Sequence, residues 1–207
     1  MKILLINNNY PSKEAPNQAT YIRSIKECLE LAEINVELLV ISAKIKLWSR
    51  ITNYINFYFK LLFFNYKSYD YIYINHFHSL ALPLLVNFRN MKKIIIHWHG
   101  EELMGISSIK KYINNIYNKF LDNSTLHIVP SRYFSEMLKA RLSTKNIFVS
   151  PSGGVDTKIF YSRQVKNDQD SIHLGFSSGL DKSKGLSLII LLINRFEYFR
   201  KKTNKNM

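Results

Sequence analysis

Short apolar runs alternate along this chain with longer segments in which apolar residues recur every three or four positions. Residues 2–6 make the first run and read as a buried strand, which stops at the polar loop Asn7-Asn8-Asn9-Tyr10-Pro11. Residues 20–31 follow as a helix, with Ile22, Ile25, Cys28, Leu29 and then Ala32 on one side. Residues 36–41 predict a second strand, and 72–74, 94–97, 126–129 and 147–149 lie in a third to a sixth. Helical patterns separate them at about 44–64, 79–88, 107–121 and 133–142.

Strands this short and apolar, with helices between them, predict an α/β fold: a doubly wound, Rossmann-like parallel sheet covered on both faces. Ligands of such sheets bind beyond the carboxyl ends of the strands, so the residues just after each strand are the candidates for chemistry. After the third strand stand Asn75-His76-Phe77-His78-Ser79, and after the fourth His97-Trp98-His99-Gly100-Glu101-Glu102. Pro130-Ser131-Arg132-Tyr133 follow the fifth, and Pro151-Ser152-Gly153-Gly154-Val155-Asp156 the sixth. Four of the six histidines, His76, His78, His97 and His99, thus fall on one predicted edge. Beyond a polar linker a second unit begins, with a short strand at 173–176 and an apolar helix from Leu186. One strand and one helix do not complete a Rossmann layer. The expected division is a Rossmann-like domain over 1–162, a linker over 163–171 and the incomplete start of a second domain over 172–207.

Composition narrows the class. Apolar residues are 46% of the 207, enough for a core. The leaning to Ile, Asn, Lys, Tyr and Phe, with 7 Gly and 5 Pro, reads as an AT-rich coding sequence, which raises Lys and aromatic content without functional cause. The formal charge of +14 suits nucleic acid, an anionic membrane surface or phosphorylated substrates. No zinc-finger spacing, RNP-type aromatic sequence or heptad run after a basic region accompanies it, so nucleic acid ranks last. Cys28 is the only cysteine, which excludes an internal disulfide and a thiolate metal cage. Its place in the helical pattern predicts a buried structural thiol. The first apolar run is too short for a signal peptide, and no stretch reaches the ~18–20 apolar residues of a membrane span. The expected location is cytoplasmic, with contact to the inner membrane face.

Four post-strand segments, in order, carry a resemblance. His99-Gly100 after an apolar strand, Val129-Pro130-Ser131-Arg132-Tyr133 opening a helix, Ser152-Gly153-Gly154-Val155-Asp156-Thr157-Lys158-Ile159-Phe160, and Leu180-Asp181-Lys182-Ser183-Lys184-Gly185 resemble the HG, VSRY, NGVDTxxF and L-x-x-x-K-G elements of the family 4 glycosyltransferases. That resemblance implies two facing Rossmann domains (the GT-B fold). It also implies retaining transfer of a sugar from a nucleotide diphosphate sugar to a glycan or lipid-linked acceptor in surface polysaccharide synthesis, with no cofactor or required metal. It assigns His99 to catalysis and Lys184, Gly185, Ala19 and Gly100 to the donor; His76, His78, Glu101, Glu102 and Ser131, by their positions just after the strands, are the candidates for the acceptor. The sequence departs from the family at Ala19, where Gly is common, at Gly179, where Arg is usual, and in having no E-x7-E pair. The expectation is therefore a truncated acceptor-side half, weakly active or inactive alone. The alternatives are a non-catalytic glycan- or membrane-binding remnant and one half of a split enzyme.

Each candidate also has a structural reading. His99 could tie down the loop before Gly100, and His97 could sit in the strand end. His76 and His78 could cap or line a pocket. Glu101 and Glu102 suit the positive end of a helix, and Ser131 is a natural N-cap. Lys184 could be a solvated surface lysine. Residues 44–66 carry Trp48, Ile51, Ile55 and Phe63 beside Lys44, Lys46, Arg50 and Lys60. They read either as an anionic-membrane surface element or as a helix covering the sheet.

Overall fold

Strand β1 (Lys2–Tyr10) is the centre of the architecture. Successive side chains of a strand point to opposite faces, so Leu4 and Ile6 enter one core while Ile3 and Leu5 enter another. All four are 4% exposed or less. The computed structural model of the protein describes residues 1–42, 47–87, 93–104, 121, 125–142, 146–151 and 185–203. The chain divides into two units, Met1–Val155 and Asp156–Met207.

In the first unit, β1 pairs in parallel with β2 (Asn35–Ser42) on one side and β3 (Tyr71–Asn75) on the other. Strands β4 (Ile94–His97), β5 (Leu126–Val129) and β6 (Ile147–Val149) extend the sheet, again in parallel. The order is β2-β1-β3-β4-β5-β6. The chain leaves β1 toward β2 and returns on the opposite side at β3, so the winding reverses between β1 and β3. Helix α1 (Thr20–Leu31) covers one face through Ile22, Ile25 and Leu29. The other face is covered by α2 (Leu47–Phe63), through Phe57 and Leu61, and by α3 (Phe77–Asn87), through Phe77, Leu80 and Leu84. After the four-residue helix α4 (Glu101–Met104), α5 (Arg132–Lys139) adds Leu138 to that second core. Helices on both faces of a six-stranded parallel sheet make this the doubly wound, Rossmann-like α/β fold that the alternation of patterns predicts.

Several particulars differ from expectation. The first strand does not stop at Ile6 but continues through the three asparagines to Tyr10, which pairs with Ser42 across a register shift after Asn7. Asparagine is a poor strand former, and here side-chain bonds hold the backbone out: Asn7 Nδ2 donates to the Asn9 carbonyl, and the Tyr10 N–H donates to Asn9 Oδ1 at 3.0 Å. Cys28 is exposed, not buried. The inward stripe of α1 is set by Ile22, Ile25 and Leu29, and Cys28 falls beside it at about 100° per residue. Helix α3 starts at Phe77, directly after β3. The expected helix at 107–121, apart from a buried Leu121, and the expected strand at 173–176 lie outside the described residues.

Helix α2 is fixed at its C-terminus by groups distant in sequence. The Tyr66 hydroxyl donates to the Leu61 carbonyl at 2.6 Å, and Asn87 Nδ2 donates to the carbonyls of Leu61 and Leu62 at 3.1 and 2.7 Å. These bonds satisfy carbonyls that a helix end leaves without intrahelical partners. In the second unit, helix α6 (Leu186–Thr203) exposes Leu188, Ile190, Leu191, Leu192, Ile193 and Phe196. Among the described residues no helix is long and apolar enough to cross a membrane.

The two sides of α2 make opposite demands. Leu61 is 0% exposed and Phe63 is 83% exposed. Leu61→Ala is expected to cost about 2–5 kcal/mol, the range for emptying a packed leucine site, while Phe63→Ala stays within about 0.5 kcal/mol. Urea denaturation of both variants checks this. Equal losses would contradict the assigned facing.

Candidate functional site

The reversal between β1 and β3 puts the carboxyl ends of both strands beside a crevice, the usual ligand position in such sheets. Three strands deliver polar side chains there on the face that α1 covers. Asn7 on β1 and Asn75 at the end of β3 are both 0% exposed. They follow the paired residues Ile6 and Ile74, so they stand on neighbouring strands about 4.8 Å apart. From β4 come His97 and, two residues on, His99. The alternation of the strand continues through this segment, sending Trp98 into the opposite core and both imidazoles to the α1 face.

Three imidazoles form a column. The rings of His76 and His99 stack at 4.4 Å and 22°, and those of His97 and His99 at 4.7 Å and 20°. Tyr21, one turn into α1, packs against His99 at 5.0 Å and His76 at 6.2 Å. His97 Nδ1 shares a 2.9 Å hydrogen bond with the Tyr73 hydroxyl. His99 Nε2 lies 3.1 Å from Asn75 Oδ1. With that carbonyl oxygen accepting, the His99 proton sits on Nε2 and the Nδ1 lone pair stays available. Glu102, 7% exposed, closes the turn: its Oε2 accepts from the His99 backbone N–H at 3.3 Å, and its Oε1 lies 3.8 Å from His76 Nδ1.

Burial, reinforced by the charge that His76 can carry, pushes His99 down to about 3 and His97 down to about 4. Burial likewise raises Tyr21 to about 12, with hydrogen bonding to Asn7 opposing and the Glu102 charge adding. At neutral pH, therefore, His97, His99 and Tyr21 are uncharged. Asn7 Oδ1 and Asn75 Nδ2 have no hydrogen-bond partner among the described residues. A buried amide group left unsatisfied costs about 1–3 kcal/mol. One orphan is an acceptor and the other a donor, and a hydroxyl answers both.

The backbone at this edge is unusual. His76 has φ +51°, as does Ala19, which caps α1 in the left-handed conformation. The position read as glycine-like in the sequence therefore does adopt a glycine-favoured geometry, though its residue is alanine. Gly100 has φ +91°, and a Cβ there would lie 2.8 Å from Cζ of Phe134 on α5. Non-glycine residues in such regions cost about 1–3 kcal/mol and concentrate at functional sites.

Among the residues singled out from sequence, His76, His97, His99 and Glu102 come together, with Gly100 and Ala19 shaping the backbone beside them. Ser131 caps α5, its Oγ accepting from the Phe134 N–H at 3.4 Å, as its cap alternative requires. The side chains of His78 and Glu101, in the first turns of α3 and α4, lie outside the described residues, as does Lys184. Gly185, at φ +88°, opens α6 in the second unit, its carbonyl accepting from the Leu188 N–H at 3.0 Å. Sequence reasoning missed Asn7, Asn75, Tyr21 and Tyr73. The signal was present for the two asparagines, each the first amide after an apolar strand run. A second buried histidine, His127 on β5, accepts from Trp98 Nε1 at 3.2 Å on the opposite face. Burial pushes it down to about 4. Among the described residues no group of three His, Cys, Asp or Glu is placed to hold a metal ion.

Two measurements test this geometry. Gly100→Ala is expected to lose about 1–3 kcal/mol from its backbone angle alone, with the Phe134 contact adding to it; an unchanged urea midpoint would contradict the turn as described. For the histidines, the unfolded chain takes up protons as pH falls through 6.5, while His97 and His99 in the fold remain neutral to about 4 and about 3. The unfolded state then binds more protons, so stability is full above pH 6.5 and falls on acidification toward pH 3. NMR titration should show both imidazoles neutral and flat through about pH 5 to 8; a midpoint near the free-histidine value would remove the buried cluster. No protein-family model and no curated protein matches the chain.

Proposed function

We propose that the protein is a retaining glycosyltransferase whose first unit forms the acceptor side of the site. The observation that carries this reading is the buried polar cluster at the strand-order reversal, in which His97, His99 and Tyr21 are neutral, with an orphaned acceptor on Asn7 and an orphaned donor on Asn75. Saccharide hydroxyls both donate and accept and bring no charge into a buried site. A phosphate would instead call for fixed cations, and His97 and His99 are held neutral. The motif resemblance supplies the reaction class and the donor, a nucleotide diphosphate sugar.

In this reading His99 contacts the transferred sugar through its free Nδ1, with Asn75 fixing its tautomer and Glu102 its backbone. It acts as a neutral hydrogen-bonding group and not as a base, because a nitrogen with so low a proton affinity is a poor acceptor of a full proton at neutral pH. His76, His78, Glu101, Glu102 and Ser131 border the acceptor, a glycan or lipid-linked sugar. The turns at Ala19 and Gly100 are read as donor contacts, and the motif resemblance assigns Lys184 and Gly185 the same role. In this reading the protein works in the cytoplasm, against the inner membrane face. The sequence has no E-x7-E pair for the donor, so this chain by itself is expected to transfer slowly or not at all.

The test follows the imidazole resonances of the full chain while nucleotide hexoses and simple glycosides are added. At least one saccharide is expected to shift the His97 and His99 signals, and His99→Ala to weaken its binding by roughly tenfold, the loss of one buried hydrogen bond. If no saccharide moves either signal at millimolar concentration, the reading fails. Rapid transfer by the chain alone would overturn the expectation of weak activity.

A further inference from the structure

Helix α2 has a second apolar side that the sheet does not use. Phe57 and Leu61 point to the core, and at about 100° per residue the opposite arc carries Trp48, Ile51, Ile55, Phe59 and Phe63. These five are between 41% and 83% exposed. Scattered exposed apolar residues are ordinary, whereas a continuous stripe of large ones marks an interaction surface. It runs from the first turn of the helix to the last, about 22 Å at 1.5 Å per residue.

The charge around it is one-sided. Between Glu37 and Asp70 the sequence has Lys44, Lys46, Arg50, Lys60 and Lys67 and no acidic residue. Lys60 stands at the margin of the stripe. With Ser42, Asn53 and Asn56 it also lines an open cleft of about 510 Å³ between α2 and the end of β2. A second copy of this chain is a poor occupant, because both copies would bring the same cations and a formal charge of +14 to the contact. An anionic lipid surface supplies both missing complements, an apolar phase for the stripe and negative charge for its margins.

We propose that α2 lies flat in the headgroup region of an anionic membrane, with Trp48, Ile51, Ile55, Phe59 and Phe63 facing the acyl chains and Lys60 and Lys67 meeting lipid phosphates. The helix reclines and does not span, since its other side is committed to the sheet. Such helices sink about 5–10 Å into the interface. The Tyr54 hydroxyl donates to the Asn8 carbonyl at 3.4 Å, so α2 reaches the carboxyl end of β1, beside the histidine column. Docking would bring that edge to the membrane. The inference stands on the helix alone and not on glycosyl transfer.

Co-sedimentation of the full chain with vesicles of phosphatidylcholine, alone and mixed with phosphatidylglycerol, tests it. Binding is expected to the anionic vesicles, to weaken in high salt, and to fall roughly tenfold or more in a Trp48→Ser, Phe59→Ser, Phe63→Ser variant. All three residues are exposed, so circular dichroism should report an unchanged fold. Replacing Lys60 and Lys67 by Gln should lower binding about fivefold per charge. Brominated lipid should quench the emission that Trp48→Phe removes and leave that of buried Trp98. Equal binding by wild type and the serine variant, or indifference to lipid charge, overturns the proposal. So does a dimer, in analytical ultracentrifugation, that the serine variant loses.

Discussion

Six strands hydrogen-bonded in parallel cannot be joined by tight turns. Every connection has to cross over a face of the sheet, and every carboxyl end opens on the same edge. That constraint organises the first unit. It requires β1 to be apolar on both faces, which Ile3, Leu4, Leu5 and Ile6 satisfy. It sends α1 to one face and α2 and α3 to the other. It also gathers Asn7 of β1, Asn75 of β3 and the histidines at the end of β4 into one crevice, though Asn7 lies some seventy to ninety positions from the others in the chain.

What gathers there is polar and, apart from the Glu102 carboxylate beside His76, neutral. Charged groups are costly in a low-dielectric crevice, and burial resolves this by removing the proton from His97 and His99 and keeping it on Tyr21. The amides of Asn7 and Asn75 carry no charge to begin with. The backbone accepts strain at the same edge: Ala19, His76 and Gly100 all have positive φ there. Two of these are not glycine, and the surrounding packing must hold them in place. Neutral donors and acceptors with one buried carboxylate among them suit recognition of hydroxyl groups better than binding of free anions.

Helix α2 is apolar on both its inner and its outer side. Its inner side is fastened by Tyr66 and Asn87 to the rest of the fold, so the outward stripe is presented on a rigid support. A sequence pattern with aromatic residues all round is ambiguous, since either half of the helix could face the core. Packing chose Phe57 and Leu61, and by that choice left Trp48, Ile51, Ile55, Phe59 and Phe63 outside.

By itself the sequence determined the parallel α/β architecture, because short apolar strands and amphipathic helices are local periodicities that each segment displays without its neighbours. It located β4, β5 and β6 to the residue for the same reason. It marked His76, His97, His99 and Glu102 as post-strand residues. The tertiary structure decided what periodicity does not encode. It extended β1 through three asparagines, with the Asn7 and Asn9 side chains bonded to the backbone there, and turned Cys28 outward. It stacked three imidazoles in a column held by Asn75, Tyr73 and Glu102. Those outcomes depend on which strands become neighbours, and neighbours across a sheet are set by burial of the whole core and not by any one segment.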